Sequence, residues 1–472
     1  MNATITSPTP KAPLPEQPQE WVASRFNIKV QDDAGQWILY NSMTGSVGAV
    51  PKADEASILG LLKSGFVGPL SGDAEGLARR DRGFLVPKGV DEGRRVDLLK
   101  QKRQSHRGLH LILMPTEDCN FRCKYCYESF LRGRMPAKVR RGIKTWVSNE
   151  APKLERLDVA WFGGEPMEQL DVMEELSHSM IASARAARIP YAASIVTNAY
   201  HLTPANLRRL LECEVRTLQV TIDGLPEQHD RLRVLKDGKP TFETIWKNIV
   251  AARKVEGEFH LSIRVNFNPE TLKNLDGFLA SVAAELGDDP RFSVFFRPVG
   301  RWGGPNDSQV LICSKPEGET QTFEAARVAQ RAGIQSGNTY SFMRPSGAVC
   351  YAANPRSFVV GSDGTLYKCT VALDKDFNKV GRLHPDGRVE LDEDKFALWT
   401  TSDDSKDATC QSCTFRPACQ GAACPLVRIE TGQRPCPPVK SRIRRALVAV
   451  VEHYKKFGRP EPLAYGGVGA RD

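Results

Sequence analysis

Cysteine is the residue type whose spacing in this chain most clearly predicts chemistry. Three of the twelve cysteines, Cys119, Cys123 and Cys126, form a CxxxCxxC pattern. Three thiolates can hold three irons of a [4Fe-4S] cluster, which normally takes four cysteines, so one iron would stay open to another ligand. Zinc is the alternative, but a structural zinc site needs four protein ligands, and His106 or His110 would have to supply the fourth.

A second set of cysteines lies in the C-terminal part of the chain. Seven cysteines are too many for one cubane cluster and nearly enough for two, and a pair of zinc sites is the alternative. The surrounding sequence has little hydrophobic periodicity, as expected where metal ligation replaces part of a core. This set consists of Cys350, Cys369, Cys410, Cys413, Cys419, Cys424 and Cys436.

The first set of cysteines follows the first of several β-rich segments that alternate with helical ones. Apolar residues fall on one helical face in residues 139–147 and 242–250. Such alternation predicts a parallel sheet with right-handed crossovers, and six units predict an incomplete βα barrel. Its active site is expected at the C-terminal ends of the strands. The predicted strands are residues 109–114, 157–162, 193–197, 217–222, 260–267 and 292–299.

The rest of the chain is predicted to form smaller regions. Residues 1–20 are rich in Pro, Ser and Thr and are predicted to be a disordered tail. Residues 21–105 are predicted to be a small α+β module that ends in a linker. Its elements are strands at 26–30 and 37–40, a helix at 53–63 and the linker at 81–107. The other predicted regions are the barrel at 106–315, a bridging region at 316–349, a cysteine-rich domain at 350–440, and a C-terminal helix with a tail at 441–472.

Composition excludes several classes of function. The net charge is +9, but Lys and Arg are dispersed, so we expect a solvated surface and no nucleic-acid partner. No run approaches the roughly 18 apolar residues of a membrane helix, and the first twenty residues lack the apolar stretch of a signal peptide. We therefore expect a cytoplasmic protein without a membrane partner. In that reducing compartment, close cysteine spacings favour metal or redox sites over disulfides.

The segment CNFRCKYCYE, residues 119–128, resembles the signature of radical S-adenosylmethionine (SAM) enzymes. The resemblance extends from about residue 109 to residue 436. In that family the amino and carboxylate groups of SAM chelate the open iron of the cluster. The resemblance implies that Cys119, Cys123 and Cys126 hold the catalytic cluster and that Tyr125 contacts adenine.

A second motif supports the same resemblance. Gly163-Gly164-Glu165-Pro166 follows the second predicted strand and matches the GGEP motif of the family. The glycines would permit close approach of the ligand, and Glu165 can accept hydrogen bonds from the methionyl ammonium. Asn198 and Thr221 could hydrogen-bond the ribose or the carboxylate. Arg233, or alternatively Arg264, could pair with the cosubstrate carboxylate.

The second cysteine set resembles the SPASM domain, which holds two auxiliary [4Fe-4S] clusters in enzymes that modify peptides and proteins. One spacing differs, because four residues separate Cys419 from Cys424 where the family usually has three. The resemblance assigns Cys350, Cys369 and Cys424 to the nearer cluster. Cys313 could complete that cluster, or the position could stay open. Otherwise, Cys313 and Cys213 are expected to be small buried side chains. The farther cluster would take Cys410, Cys413, Cys419 and Cys436.

The resemblance implies an α/β enzyme with a partial (β/α)6 TIM-like barrel, an N-terminal α+β peptide-recognition-like module and a C-terminal iron-sulfur-rich SPASM domain. It would carry three [4Fe-4S] clusters, cleave SAM to a 5′-deoxyadenosyl radical, and receive electrons from flavodoxin or ferredoxin. Sulfatase-maturing members have an Asp at the position that Thr370 occupies after Cys369 in this chain. This difference favours a maturase that crosslinks or epimerises a ribosomally made precursor peptide, whose leader could bind the N-terminal module by strand addition. The alternatives are a sulfatase-type or small-molecule dehydrogenase and a non-catalytic iron-sulfur protein.

Overall fold

The computed structural model describes residues 19–63, 66–68, 70–78, 81–337 and 339–458. All but the last two residues of the predicted disordered tail lie outside the described residues. Gln19 and Glu20 belong to the first strand. The chain divides into two compact units. The described residues of the first unit lie between 19 and 105, 339 and 350, and 402 and 458, and those of the second unit are 106–337 and 351–401.

Strands and helices alternate along much of the chain that the structure describes. The strands are β1 (Gln19–Ala23), β2 (Asn27–Gln31), β3 (Trp37–Asn41), β4 (Ser46–Ala49), β5 (Phe66–Gly68), β6 (Leu85–Pro87), β7 (Gly108–Leu113), β8 (Arg156–Trp161), β9 (Tyr191–Thr197), β10 (Val215–Thr221), β11 (His260–Phe267), β12 (Phe292–Pro298), β13 (Ser357–Val360), β14 (Thr365–Tyr367), β15 (Lys379–Leu383) and β16 (Val389–Leu391). The helices are α1 (Glu55–Leu61), α2 (Gly72–Ala78), α3 (Glu92–Ser105), α4 (Ala137–Glu150), α5 (Leu170–Ala187), α6 (Pro204–Glu212), α7 (Pro226–Leu232), α8 (Phe242–Ala252), α9 (Leu275–Leu286), α10 (Lys315–Ala332), α11 (Thr339–Met343), α12 (Glu393–Thr400), α13 (Ala408–Gln411), α14 (Arg416–Cys419), α15 (Pro425–Thr431), α16 (Pro438–Ser441) and α17 (Ile443–Phe457).

A parallel sheet forms the centre of the second unit. Strands β7 to β12 are parallel and lie side by side in chain order. At least one helix separates each strand from the next, so every crossover moves one strand further across the sheet. This is the arrangement of a partial βα barrel, and the predicted fold is confirmed. Leu111, Val159, Leu218 and Ile263 are buried, as expected for a parallel sheet covered on its faces.

The same sheet continues past β7 into the C-terminal part of the chain. Strand β13 pairs in parallel with β7, and β14, β15 and β16 extend the sheet with antiparallel pairing. Residues 351–401 therefore belong to the unit that contains the barrel, whereas residues 402–458 belong to the first unit. The sequence offered no sign of this division, because it groups both segments by their cysteines.

The first unit contains two small antiparallel sheets. Strands β2, β3 and β4 form one, and β1 lies between β5 and β6 in the other. A core of apolar side chains packs within this unit, including Trp21, Leu39, Leu77 and Leu85. Helix α17 packs against β2, β3 and β4 through its apolar face. The predicted strands and the one predicted helix of the N-terminal module are confirmed, and the predicted C-terminal helix is present as α17.

The predicted linker at residues 81–107 is wrong, because this segment contains β6 and the fourteen-residue helix α3. Helix α3 buries only Val96 and Glu92. Its other contacts within the first unit are polar, such as the ion pairs from Asp97 to Arg416 at 2.5 Å and from Lys100 to Asp404 at 3.0 Å. A helix held by ion pairs has no apolar stripe, so hydrophobic periodicity could not reveal it.

The predicted bridging region at residues 316–349 contains a long helix. Helix α10 occupies Lys315–Ala332 and packs against β12 and α9. Pro316 lies in its first turn, where the missing N–H costs little, and Gly333 ends it with φ of 104°. Pro316 and Gly333 therefore mark the two ends of a helix, although Pro and Gly are also common in loops. None of the helices in the described parts of the chain is long and apolar enough to cross a membrane.

Candidate active site

The first set of cysteines lies at the C-terminal edge of the parallel sheet. The loop that follows β7 carries Cys119, Cys123 and Cys126, and all three line one cavity. Burial raises the pKa of each thiol, to about 12 for Cys126. A buried thiolate therefore needs a positively charged partner, and a bound metal is one such partner.

Gly163 and Gly164 allow the loop after β8 to lie against the cysteine loop. A Cβ on Gly164 would lie 2.1 Å from the carbonyl oxygen of Asp118, and a Cβ on Gly163 would lie 2.3 Å from that of Thr116. The Glu165 N–H donates to the same Asp118 oxygen at 3.0 Å. Both glycines line the cavity. Glycine is therefore required for contact between the two loops, in addition to the ligand approach that the motif predicts.

The Glu165 carboxylate connects this loop to the end of β9. It accepts hydrogen bonds from Thr197 Oγ1 at 2.7 Å and from the backbone N–H groups of Asn198 at 2.7 Å and Met167 at 3.0 Å. Burial raises its pKa to about 7, although these donors act in the opposite direction. Neither Glu165 nor Pro166 is among the described residues that line the cavity. The contact of Glu165 with the methionyl ammonium stays a prediction.

Asn198, Thr221 and Arg233 line the same cavity as the three cysteines. Asn198 Nδ2 donates to Asn120 Oδ1 at 2.7 Å and lies 3.9 Å from Cys119 Sγ. The end of β9 is thereby joined to the cysteine loop. The three cysteines, Tyr125 and the two glycines of the motifs therefore share one cavity with Asn198, Thr221 and Arg233.

The Tyr125 hydroxyl is the centre of a buried hydrogen-bond network. It donates to Asp223 Oδ2 and accepts from Arg233 Nη1 at 2.9 Å and from Asn266 Nδ2 at 3.1 Å. The Arg233 guanidinium also lies over the Phe121 ring, 5.6 Å from its centroid. Arg233 Nε is buried and has no hydrogen-bond partner within the described chain. An anionic ligand of Arg233 would give this nitrogen the acceptor that the described chain does not provide.

Asp223 and Asn266 are site residues that sequence reasoning missed. Asp223 comes two residues after Thr221 in the TIDG segment, and it is fully buried at the end of β10. A carboxylate directly after a strand of a βα barrel was a signal that could have identified it. Asn266 lies on β11 and also accepts from Arg264 Nε at 2.8 Å. Arg264 lines the cavity as well.

Apolar residues also line the cavity, and they were not predicted. Phe130, Pro298, Trp302 and Val371 contribute to it. A Cβ on Gly304 would lie 2.3 Å from the carbonyl oxygen of Cys126, so the loop after β12 lies directly against the cysteine loop. Trp302 is 47% exposed and belongs to this loop. The lining of the cavity therefore combines polar and apolar residues.

Within the first unit, four cysteines of the second set lie close to one another. Burial, together with the neighbouring Cys413, Cys410 and Cys436, raises the pKa of Cys419 to about 12. These are the four cysteines that were predicted to share the farther auxiliary cluster. In the parts of the chain that the structure describes, no group of three or more His, Cys, Asp or Glu side chains is placed to hold a single metal ion.

The remaining cysteines are divided between the units. Cys350 and Cys424 belong to the first unit, and Cys369 and Cys313 belong to the second. The common cluster of Cys350, Cys369 and Cys424 stays a prediction. Cys313 is buried, and Cys213 is fully buried at the end of α6.

Residues 113–281 match the family model of the radical SAM superfamily. The matched segment contains the cysteine loop, the GGEP loop and the network around Tyr125, so this part of the chain is a radical SAM domain. The donor set fits the cofactors of that family. Three thiols from one loop share a cavity with the unpaired Nε of Arg233, which suits the carboxylate of SAM.

The chain is also similar to particular proteins. An uncharacterized protein of Methanocaldococcus jannaschii is 30% identical over 138 residues, which cover 29% of this chain and 46% of that protein, so the match spans less than half of its length. A cysteine-type anaerobic sulfatase-maturating enzyme of Clostridium novyi is 22% identical over 339 residues, which cover 66% of this chain and 87% of that enzyme. The solved structure of native anSMEcpe with bound AdoMet and Cp18Cys peptide has 16% identity and a TM-score of 0.52, and the match covers 74% of this chain and 96% of that one. The last likeness shows a shared fold.

Proposed function

We propose that this chain generates a 5′-deoxyadenosyl radical from SAM and uses it to modify side chains of a ribosomally made precursor peptide. The observation that carries the proposal is the cavity that joins three thiols of one loop, the GGEP glycines and the polar ends of β9, β10 and β11. A [4Fe-4S] cluster and SAM, when bound, supply the electron and the radical. Cys119, Cys123 and Cys126 are the proposed ligands of that cluster.

The polar residues that line the cavity would orient the cosubstrate. Arg233 Nε has no acceptor in the described chain, and Nη1 donates to Tyr125, so the direction of the guanidinium is fixed before SAM binds. Asn198 and Thr221 contribute an amide and a hydroxyl to the lining of the same cavity. We propose that Tyr125 acts mainly by positioning Arg233, because its hydroxyl is already occupied by three partners.

The apolar residues that line the cavity would contact the substrate. Phe130, Pro298 and Val371 offer no hydrogen bonds from their side chains, so water is held weakly there. A radical that abstracts hydrogen from carbon must be shielded from other reactants, and an apolar wall provides this shielding. The solved anSMEcpe structure contains a bound peptide, which supports a peptide as the substrate class of this chain.

A sulfatase-type reaction is the second candidate, because the Clostridium novyi relative is a sulfatase-maturating enzyme. Thr370 counts against it. The Thr370 side chain is fully buried, its N–H donates to the Tyr351 hydroxyl at 3.0 Å, and its Oγ1 lies 2.8 Å from the same hydroxyl. A hydroxyl in this environment is not a general base at neutral pH, whereas a carboxylate is. We therefore favour crosslinking of a precursor peptide.

Cleavage of SAM tests the first half of the proposal. Anaerobically reconstituted protein, reduced in the presence of SAM, should release 5′-deoxyadenosine. Cys123→Ala should reduce this release to background, because it removes one of the three thiols. Cys213→Ala is the matched control, since Cys213 lies outside the cavity, and it should keep the activity. Release from Cys123→Ala at the wild-type rate would remove the proposal.

Mass spectrometry tests the second half. We expect a short peptide encoded near this chain, when it is co-expressed, to lose two hydrogens for each crosslink formed. Flavodoxin or ferredoxin should support the reaction in place of a chemical reductant. Formylglycine on a test peptide would favour the sulfatase-type reaction instead. If every peptide encoded nearby kept its mass after co-expression, this result would contradict the proposed substrate class.

A further inference from the structure

Positively charged side chains contact the four neighbouring cysteines of the first unit. Lys440 Nζ donates to Cys436 Sγ at 3.4 Å, and Arg428 Nη2 donates to Cys410 Sγ at 3.5 Å. Lys440 also interacts electrostatically with Cys413. Sulfur is a large acceptor, so these distances are ordinary for hydrogen bonds to a thiolate. Two of the four sulfurs therefore accept a hydrogen bond from a cation.

A third cation is held next to the same thiols. Arg434 interacts electrostatically with Cys410 and Cys436. Its Nε forms an ion pair with Asp407 Oδ2 at 2.6 Å, and Arg428 Nη2 contacts the same carboxylate oxygen at 3.4 Å. The Asp407 carboxylate also accepts from the Cys410 N–H at 3.1 Å. One carboxylate thus fixes two arginines beside the sulfurs, and positive charge remains in excess.

We propose that Arg428, Arg434 and Lys440 raise the reduction potential of the auxiliary cluster that Cys410, Cys413, Cys419 and Cys436 would hold. The inference rests on the proposed function, since it requires that cluster. The potentials of iron-sulfur clusters depend on net charge and on hydrogen bonds to sulfur. Reduction adds one negative charge, so nearby cations stabilise the reduced form more than the oxidised form. The three cations are positioning and tuning residues, because they act through the cluster and not on the substrate.

A raised potential suits an electron acceptor. When a substrate radical closes a new bond, one electron and one proton leave it. The electron would reduce this cluster, and the proton would pass to water. A cluster surrounded by cations accepts the electron more readily than one surrounded by neutral groups. The arrangement therefore favours an accepting role for this cluster over a role in donating electrons to SAM.

Redox titration of the full-length chain tests the inference. Cys119, Cys123 and Cys126 are replaced by Ala, so that the SAM-binding cluster contributes no electron paramagnetic resonance signal. The signal that is lost when Cys413→Ala is added is then assigned to the cluster of interest. Lys440→Gln and Arg428→Gln should each lower its midpoint potential. In each variant we expect the ratio of reduced to oxidised cluster at a fixed potential to fall about tenfold. This fall corresponds to a midpoint potential lower by about 59 mV for a one-electron couple. Lys440→Arg keeps the charge and should keep the potential.

Matched controls are available in the same unit. Lys455 donates to Gln36 and Arg444 pairs with Asp33, so Lys455→Gln and Arg444→Gln remove a cation that no thiol contacts. Both should leave the midpoint unchanged. An unchanged midpoint in Lys440→Gln and Arg428→Gln, with iron retained, would overturn the inference and leave the proposed function intact. If both variants lost the iron, the cations would serve cluster retention and the inference would also fail. If Cys413→Ala removed neither a signal nor any iron, the proposed cluster itself would be wrong.

Discussion

Gly164 is the residue at which one added methyl group should most disturb the radical SAM site. The Cβ of an alanine there would lie 2.1 Å from the carbonyl oxygen of Asp118, a backbone atom that cannot rotate away. We predict that Gly164→Ala separates the GGEP loop from the cysteine loop. The expected results are a loss of about 10²-fold in 5′-deoxyadenosine release and a destabilisation of about 1 to 3 kcal/mol.

Gly277 provides the matched control for that prediction. It lies in helix α9, and a Cβ there would meet no atom within 4 Å. Gly277→Ala should therefore keep the activity and stabilise the protein by up to about 1 kcal/mol. Similar activities of the two variants would show that contact between the loops does not shape the site.

The residues of this site differ in how well the sequence could predict them. Cys119, Cys123 and Cys126 were identified from the sequence because their spacing is local and only a few chemistries use it. Asp223 and Asn266 were not, because their contacts with the Tyr125 hydroxyl span 98 and 141 residues of chain. Such contacts follow from which strands are neighbours and from their register, and a single sequence does not specify these.

At the scale of elements, helix α7 connects the cavity to a buried histidine. His229 Nδ1 accepts from the Asp223 N–H at 3.2 Å, and Nε2 lies 3.1 Å from Thr241 Oγ1, which donates to the carbonyl oxygen of Arg233 at 2.7 Å. Since Nδ1 accepts and the Thr241 hydroxyl is already a donor, Nε2 carries the proton of a neutral imidazole. This chain of bonds fixes the backbone of Asp223 and Arg233, two of the three residues that hold the Tyr125 hydroxyl.

We predict that this histidine makes the stability of the second unit dependent on pH. Burial, together with the charge of Arg233, lowers the pKa of His229 well below its ordinary value. The unfolded chain takes up the proton at roughly pH 6.5, so it binds more protons than the folded chain below that pH. The stabilisation from neutral His229 is therefore complete above roughly pH 6.5 and is lost as the pH falls, by up to about 1.4 kcal/mol for each pH unit.

Urea unfolding of the wild type and of His229→Gln, followed from pH 7.5 to pH 5.5, measures this effect. The variant lacks the titrating group, so the difference in unfolding free energy between the two proteins should narrow as the pH falls. A difference that stays constant over this range would contradict the assignment of a neutral, buried imidazole.

At the scale of the whole molecule, the N-terminal module and the cysteine-rich segment 402–436 belong to one unit. Helix α3 joins them, and the buried residues at this junction are charged. Arg416 pairs with Asp404 at 2.6 Å, and the Asp404 side chain is 1% exposed. The sequence could not predict this junction, because its partners are about 300 residues apart and its residue types are typical of surfaces.

We therefore predict that Arg416→Met destabilises the first unit much more than Arg444→Met does. Loss of Arg416 leaves the buried Asp404 carboxylate with Lys100 as its remaining cation, and breaking a buried pair in this way costs about 3 to 5 kcal/mol. The Arg444–Asp33 pair is about half exposed, so its loss should cost less than about 1 kcal/mol. Hydrogen exchange of the α3 amides measures the difference directly, because opening of the junction exposes that helix. Equal protection of α3 in the two variants would mean that apolar packing around Val96, and not the buried charges, holds the N-terminal module to the cysteine-rich segment.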